Sequence, residues 1–203
     1  MSHLGRPKNG FEKRFSLKHL IKYLSNLLKT SVGFSSDCIG ENTSSDIGNM
    51  ENGDVLVLEN LRFYPEEESG DSVFAKQLAS LADVYVNDAF GAAHRNHSST
   101  SIIARFFPKE KYFGLLLKNE IDNLEKVLNS PKKPFTAIIG GAKISSKIDV
   151  ITSLLDRVDN LIIGGGMAYT FVKSIGGNIG DSLLEEEKID LAKSIIDKAK
   201  NKG

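Results

Sequence analysis

FTAIIGGAKISSKIDVITSLLDRVDNLIIGGGMAYTF, residues 135–171, reads as strand, glycine turn, helix, strand, glycine turn, helix. Residues 135–139 form a short apolar run closed by Gly140 and Gly141, and residues 161–163 form another closed by Gly164, Gly165 and Gly166. Each has the length and punctuation of a buried strand. Between them Ile148, Ile151, Leu154, Leu155 and Val158 recur at three- and four-residue spacing, which gathers them on one helical face. Two such strands joined by one such helix make a parallel βαβ unit.

In an open parallel sheet, ligands sit beyond the carboxyl ends of the strands, where both glycine clusters fall. Glycines let backbone N–H groups come close to a ligand, and the start of the following helix offers unpaired N–H groups to an anion. Lys143 and Lys147 stand four residues apart on the first turn. With the helix under way by Lys143, that spacing sets both ammonium groups on one side of it. These features point to a phosphate ligand, and spacing alone fits equally the bland alternative of a tight turn with two solvated lysines. No GxxxxGK[ST] occurs, and GGGMAY at 164–169 lacks the final glycine of GxGxxG, so neither a P-loop nor a dinucleotide fingerprint is present.

The chain has 203 residues, enough to bury a real core in one large or two small domains. Its 26 basic and 26 acidic residues cancel, which argues against a general binder of nucleic acid or membrane surfaces. Cys38, alone, forms no internal disulfide and points to a reducing, cytoplasmic setting; it reads as a small buried apolar side chain rather than a nucleophile. No apolar run is long enough to span a bilayer. The ends, MSHLGR at the front and a helical stretch stopping at Gly203, suggest a piece of a longer chain.

Outward from the opening segment, the pattern predicts a helix over 16–29 with Ser16 as N-cap, a strand over 32–35 and a weak helix within 40–50. It continues with a strand over 55–58, a helix over 71–81, a strand over 84–86, a helix over 115–128 and a last helix over 181–200. Strands alternating with helices give an α/β protein with a mainly parallel sheet. The stop at Asn129, Ser130 and Pro131 marks a candidate domain boundary. Arg62 follows one strand, and His94 and Arg95 follow another, so on one sheet they gather at the same end. His3 and Arg6 join them if a strand precedes Met1. An exposed Arg is often only solvated, but unpaired cations from separate loops repel and need an anion between them. The basin suits a small, multiply anionic ligand, which Arg binds in bidentate fashion.

The motifs SHLGRPK at 2–8, ENLRF at 59–63, YVNDAFGAAHRNH at 85–97, GGAKISSKI at 140–148 and GGGMAYTF at 164–171 together resemble the phosphoglycerate kinases. They occur in that family's order and spacing over essentially the whole chain, which matches the middle of such an enzyme. The resemblance implies two Rossmann-like parallel-sheet domains joined by a long helix, both incomplete here. Residues 1–113 would be a partial N-terminal phosphoglycerate-binding domain, 114–130 the interdomain helix and 131–203 the first half of a C-terminal nucleotide-binding domain. His3, Leu4, Gly5, Arg6, Arg62 and Arg95 match positions that hold 3-phosphoglycerate. Gly141, Ala142, Gly164 and Gly165 match walls of the nucleotide site, and Lys147 matches a ligand of the nucleotide's phosphates. Lys143, with Arg6, matches the charge that meets the phosphoryl group in transit.

The implied reaction is glycolytic: reversible phosphoryl transfer between 1,3-bisphosphoglycerate and ADP, giving 3-phosphoglycerate and ATP. The implied cofactor is Mg2+ carried with ADP or ATP, with no metal ligand in this stretch because the family's metal loop lies beyond Gly203. The implied protein is a cytoplasmic monomer when complete, with no nucleic-acid or membrane partner. The chain by itself is expected to be inactive, since the family's first strand and the second half of the nucleotide domain are missing. Ser146 stands where many relatives carry an acidic residue, a change of local charge. The main alternative is a non-catalytic module that binds a phosphorylated metabolite or a nucleotide. A dinucleotide oxidoreductase is disfavoured by the broken GxGxxG.

Overall fold

The structure, a computed structural model, describes residues 1–8, 10–129 and 131–202. Ser130 at the predicted helix stop, Asn9 in the first loop and Gly203 at the end of the predicted nucleotide region lie outside the described residues. The chain divides into two compact units, Met1–Ile121 and Asp122–Gly203.

In the first unit, two 3-10 turns, Lys13–Phe15 and Leu17–Leu20, lead into α1, Ile21–Leu28. The predicted helix over 16–29 therefore opens as a tighter turn. The Leu17 amide is taken by the buried Glu59 carboxylate at 2.8 Å, while the Ser16 hydroxyl accepts from the Lys18 amide. Next come β1 (Val32–Ser35), α2 (Glu41–Gly48) and β2 (Val55–Leu58), at the predicted places. The short α3 (Pro65–Ser69) starts with proline at its first turn, where a missing N–H costs nothing. Asp71 caps α4 (Ser72–Ala79) by accepting the Phe74 amide at 2.7 Å.

The strand predicted over 84–86 is β3, Tyr85–Asn87, one residue further on, and the loop after it holds α5, Phe90–Ala93. A wide π-helical turn over Ser98–Ile102 and a 3-10 turn over Ile103–Phe106 precede β4, Lys111–Phe113. The first turn of α6 (Leu115–Asn129) is held from outside, because the Asp88 carboxylate accepts the Leu117 amide at 2.8 Å. The division between the two units runs through α6.

β1 pairs in parallel with β2, Val32 opposite Val55, and β3 pairs in parallel with β4, Tyr85 opposite Lys111. The sheets are parallel, as expected, but among the described residues they are two separate two-stranded sheets rather than one. The placing of Arg62 and Arg95 at one end of a single sheet is corrected accordingly: they follow strands of different sheets. Phe74, Leu78, Tyr85, Ile103 and Phe107 form the core with Cys38, and Tyr85 stacks on Phe107 at 5.8 Å. Burial, aided by the charge of Asp37, pushes the Cys38 thiol up to about 12, so it behaves as the inert apolar group its isolation in the sequence implied.

The second unit contains β5 (Thr136–Gly140), α7 (Ile148–Leu154), β6 (Asn160–Gly164) and α8 (Ala168–Ser174). β5 and β6 are parallel with Thr136 opposite Asn160 and Gly140 opposite Gly164, the βαβ unit read from the sequence. Ile139, Ile144, Ile151, Met167, Phe171 and Ile195 fill its core. The helix predicted over 181–200 is shorter at its front: a 3-10 turn covers Glu186–Lys188 and α9 covers Ile189–Lys202. Residues 181–185 are non-helical because Glu185 is committed elsewhere. Its amide donates to the Thr170 hydroxyl at 3.2 Å and its carboxylate accepts from the 144–145 turn. Among the described residues no helix is long and apolar enough to cross a membrane.

Candidate functional site

The first unit builds its part of the site on the two polar residues that follow β2. Glu59 is 4% exposed and Asn60 1%. The Glu59 carboxylate accepts from the Ser16 hydroxyl at 2.6 Å, from the Leu17 amide and from the Asn60 amide at 2.7 Å. Asn60 donates through Nδ2 to the carbonyls of Leu4, at 2.8 Å, and Phe15, at 2.9 Å, while its Oδ1 accepts the Arg62 amide. The Leu61 amide donates to the Ser2 carbonyl at 3.2 Å, and Arg62 Nη1 donates to the Gly5 carbonyl at 2.9 Å. ENLRF is thus the seat of the SHLGR loop. Gly5 has φ +63°, and a Cβ there would strike the Phe15 ring, so the loop's shape admits glycine alone.

Sequence reasoning named His3, Leu4, Gly5, Arg6, Arg62 and Arg95 but gave Glu59 and Asn60 no role. The signal was available: a Glu–Asn pair continues an apolar strand at positions that remain buried, and buried polar groups must find partners.

His3 lies within electrostatic reach of both Arg62 and Arg95. Its pKa is lowered first by burial, then by the charges of Arg62, His97 and Arg95, with Glu68 opposing. A cationic region therefore exists around His3, and it draws on the loops after β2 and β3. Arg62 is not the unpaired cation expected from sequence. Its side chain is 9% exposed, one nitrogen is spent on Gly5, and Nε lies 3.5 Å from Glu68. That distance is an ion-pair contact without a hydrogen bond, and Nε is the one buried side-chain polar atom without a hydrogen-bond partner among the described residues. Arg6 is exposed and Arg95 half-buried, and neither guanidinium makes a hydrogen bond or ion pair among the described residues. A cavity of about 380 Å³ opens beside His3, lined by Leu61, Glu67, Tyr85 and His97. Glu67 there is bound to the Ser99 amide and hydroxyl, so the cavity floor is already satisfied.

In the second unit the two glycine turns touch. Gly165 has φ +70°, and a Cβ on it would lie 2.8 Å from the amide and carbonyl of Gly141. The Met167 amide donates to the Gly141 carbonyl at 2.9 Å. Gly141, Ala142, Gly164 and Gly165 therefore form one surface at the carboxyl ends of β5 and β6. Lys143 and Lys147 are exposed on it, and the Lys147 stem passes over Gly141 with carbons 3.8 Å from where a Cβ would sit.

Lys143 and Lys147 do not share a helical face, contrary to the expectation from their spacing. α7 starts at Ile148, Lys147 is its cap position, and Lys143 lies in the turn before it. Residues 144–147 are drawn into a turn in which the Lys147 amide bonds the Ile144 carbonyl at 2.8 Å and the Ser146 hydroxyl bonds the Lys143 carbonyl at 2.9 Å. Ile144, fully buried, pins that turn to the core. Lys143 lines an open cavity of about 740 Å³ with Ala142, Leu183, Leu184 and Glu185. What the arrangement offers is two exposed cations over a glycine surface, suited to an anion.

Comparison with known proteins follows the same lines. The family model described as phosphoglycerate kinase matches residues 1–203. The phosphoglycerate kinase of Dictyoglomus turgidum is 53% identical over 203 residues, which are 100% of this chain and 50% of that protein. Phosphoglycerate kinase 3, cytosolic, of Arabidopsis thaliana is 54% identical over 202 residues, again 100% of this chain and 50% of the relative. Among solved structures, phosphoglycerate kinase from Coxiella burnetii superposes with a TM-score of 0.80 at 40% identity, covering 99% of this chain and 50% of that one. The Pyrococcus horikoshii enzyme gives 0.74 at 29% identity, covering 98% and 50%. The chain spans about half the length of the relatives it matches. With a family match along all 203 residues and a fold shared with solved members, the chain belongs to the phosphoglycerate kinase family.

Proposed function

We propose that this chain supplies residues for the reversible transfer of a phosphoryl group between the acyl phosphate of 1,3-bisphosphoglycerate and ADP. The reading rests on the family match together with one observation in the first unit. Asn60 and Arg62 fasten the SHLGR loop in a region where burial first, and then the charges of Arg62, His97 and Arg95, lower the pKa of His3. In this reading His3, Leu4, Gly5, Arg6, Arg62 and Arg95 hold 3-phosphoglycerate. Gly141, Ala142, Gly164, Gly165 and Lys147 hold the nucleotide, and Lys143 with Arg6 meets the migrating group. The acceptor carboxylate is ionised at neutral pH, so no general base is required, and rate comes from positioning and charge neutralisation.

Magnesium enters with the nucleotide. Among the described residues no group of three or more His, Cys, Asp or Glu side chains could hold a metal ion. A cytoplasmic location is proposed with the glycolytic role, by analogy with the relative named as cytosolic.

Calorimetric titration of the 203-residue chain with 3-phosphoglycerate, and separately with ADP with and without magnesium, tests the proposal. Arg62→Ala removes charge-assisted hydrogen bonds of about 1.5–3 kcal/mol and should weaken phosphoglycerate binding roughly ten- to a hundredfold, leaving ADP binding unchanged. Lys147→Ala should do the reverse. Wild-type chain that takes up neither ligand, or an Arg62→Ala titration that overlays wild type, rejects the assignment.

A further inference from the structure

We infer that Glu185 is a positioning residue for the turn that carries Lys143: it fixes the backbone of Ile144 and Ser145 from a point 41 residues further along the chain. The inference rests on the nucleotide reading of that turn given above.

One Glu185 oxygen accepts the Ile144 amide, with the Ser145 amide at 3.4 Å, and the other accepts the Ser145 hydroxyl at 2.6 Å. These donors directly follow Lys143, and they add to the two bonds within the turn, from the Lys147 amide to the Ile144 carbonyl and from the Ser146 hydroxyl to the Lys143 carbonyl. Glu185 is itself anchored, because its amide donates at 3.2 Å to Thr170, which is 1% exposed in α8. α8 begins just beyond the Gly164–Gly166 turn, and the Met167 amide that follows that turn is bound to Gly141. Through Thr170 and Glu185 the second glycine turn therefore sets the conformation of the first.

An acidic residue beside a site for anions would ordinarily oppose binding. Here both oxygens are occupied by donors, so the carboxylate acts as a brace whose charge is spent on the turn. Burial alone would raise the Glu185 pKa, but the Ser145 hydroxyl, the Ser145 and Ile144 amides and the nearby Lys143 charge outweigh it and hold the carboxyl below its ordinary range. Glu185 touches no reacting atom in this account and acts only through the turn.

The test is site-resolved amide hydrogen exchange on the 203-residue chain, paired with ADP titration. Glu185→Gln keeps the size but loses the ability to accept from both sides. Exchange at the Ile144 and Ser145 amides should rise about tenfold or more, with Ile139 and Ile163 in the sheet within about twofold of wild type, and ADP affinity should fall about tenfold. Ser145→Ala, which keeps the backbone bonds, should lose less of both. It carries the test should Glu185→Gln loosen the whole unit: a Ser145→Ala chain with wild-type exchange at Ile144 and wild-type ADP affinity would then overturn the inference. Equal ADP affinity in wild type and Glu185→Gln, with Lys147→Ala still weakened, overturns the role of Glu185 alone. Wild type that binds no ADP overturns the nucleotide reading and this inference with it.

Discussion

Asn60→Asp changes one amide nitrogen to an oxygen and leaves the side-chain volume as it was. The Asn60 Oδ1 bond from the Arg62 amide can survive, but the Nδ2 bonds to the Leu4 and Phe15 carbonyls cannot. Each lost bond is worth about 1 kcal/mol net, and two carbonyls now confront an acceptor instead of a donor. The new carboxylate also sits next to the Glu59 carboxylate in a position 1% exposed, a like-charge and desolvation cost of roughly 1–3 kcal/mol. The first unit should lose about 3–5 kcal/mol at neutral pH.

Asn60→Ala removes three bonds but adds no charge, and should cost less, about 2–3 kcal/mol. The two variants should also diverge in pH dependence. Burial and the neighbouring Glu59 raise the folded-state pKa of the introduced carboxyl, so its penalty is full above that value and fades as pH falls toward the unfolded carboxylate value of about 3.9. Urea unfolding followed by tyrosine fluorescence, with Tyr64 and Tyr85 packed in or against the first core, reads this unit directly. An Asn60→Asp chain within about 1 kcal/mol of wild type at neutral pH, or one no less stable than Asn60→Ala, would refute the seating argument.

Three further outcomes follow from the same geometry. His3 should titrate below the ordinary histidine value in the free chain, so the stability it contributes is complete above about pH 6.5 and declines as pH falls through its folded value. Adding 3-phosphoglycerate should move that titration upward, and NMR of the imidazole that shows no movement counts against the cationic region as a ligand site. Gly165→Ala places a left-handed residue, costing about 1–2 kcal/mol, against the Gly141 backbone and should speed exchange of the Met167 amide; unchanged exchange would deny the contact. In a complete enzyme Lys143→Ala should slow turnover by roughly a hundredfold, and retention of more than half the wild-type rate removes Lys143 from the chemistry.

The βαβ unit was legible because its two strands are apolar runs bounded by glycine and its helix keeps one face, and both survive any tertiary context. β4 was not: Lys111, Tyr112 and Phe113 are all exposed, so no burial pattern marks them, and only pairing with β3 makes them a strand. The front of the last helix was misread for the opposite reason. Glu185 to Glu187 look like acidic residues placed at a helix start, yet Glu185 is bound to a turn far away in sequence, and tertiary hydrogen bonds outrank local preference. The site followed the same rule. The charged and glycine residues proposed to meet a ligand were visible as motifs, whereas Glu59 and Asn60 showed only as a polar pair continuing an apolar strand, and Glu185 became visible only through its partners.

Every sheet in the described chain has two strands, so all six strands have a side that no described strand covers. Rows of backbone donors and acceptors presented this way can template the addition of a strand from another molecule, above all where apolar side chains such as Ile138 and Ile162 stand exposed on the sheet face. At high concentration the chain's balanced charge offers little electrostatic repulsion to keep such edges on different copies apart.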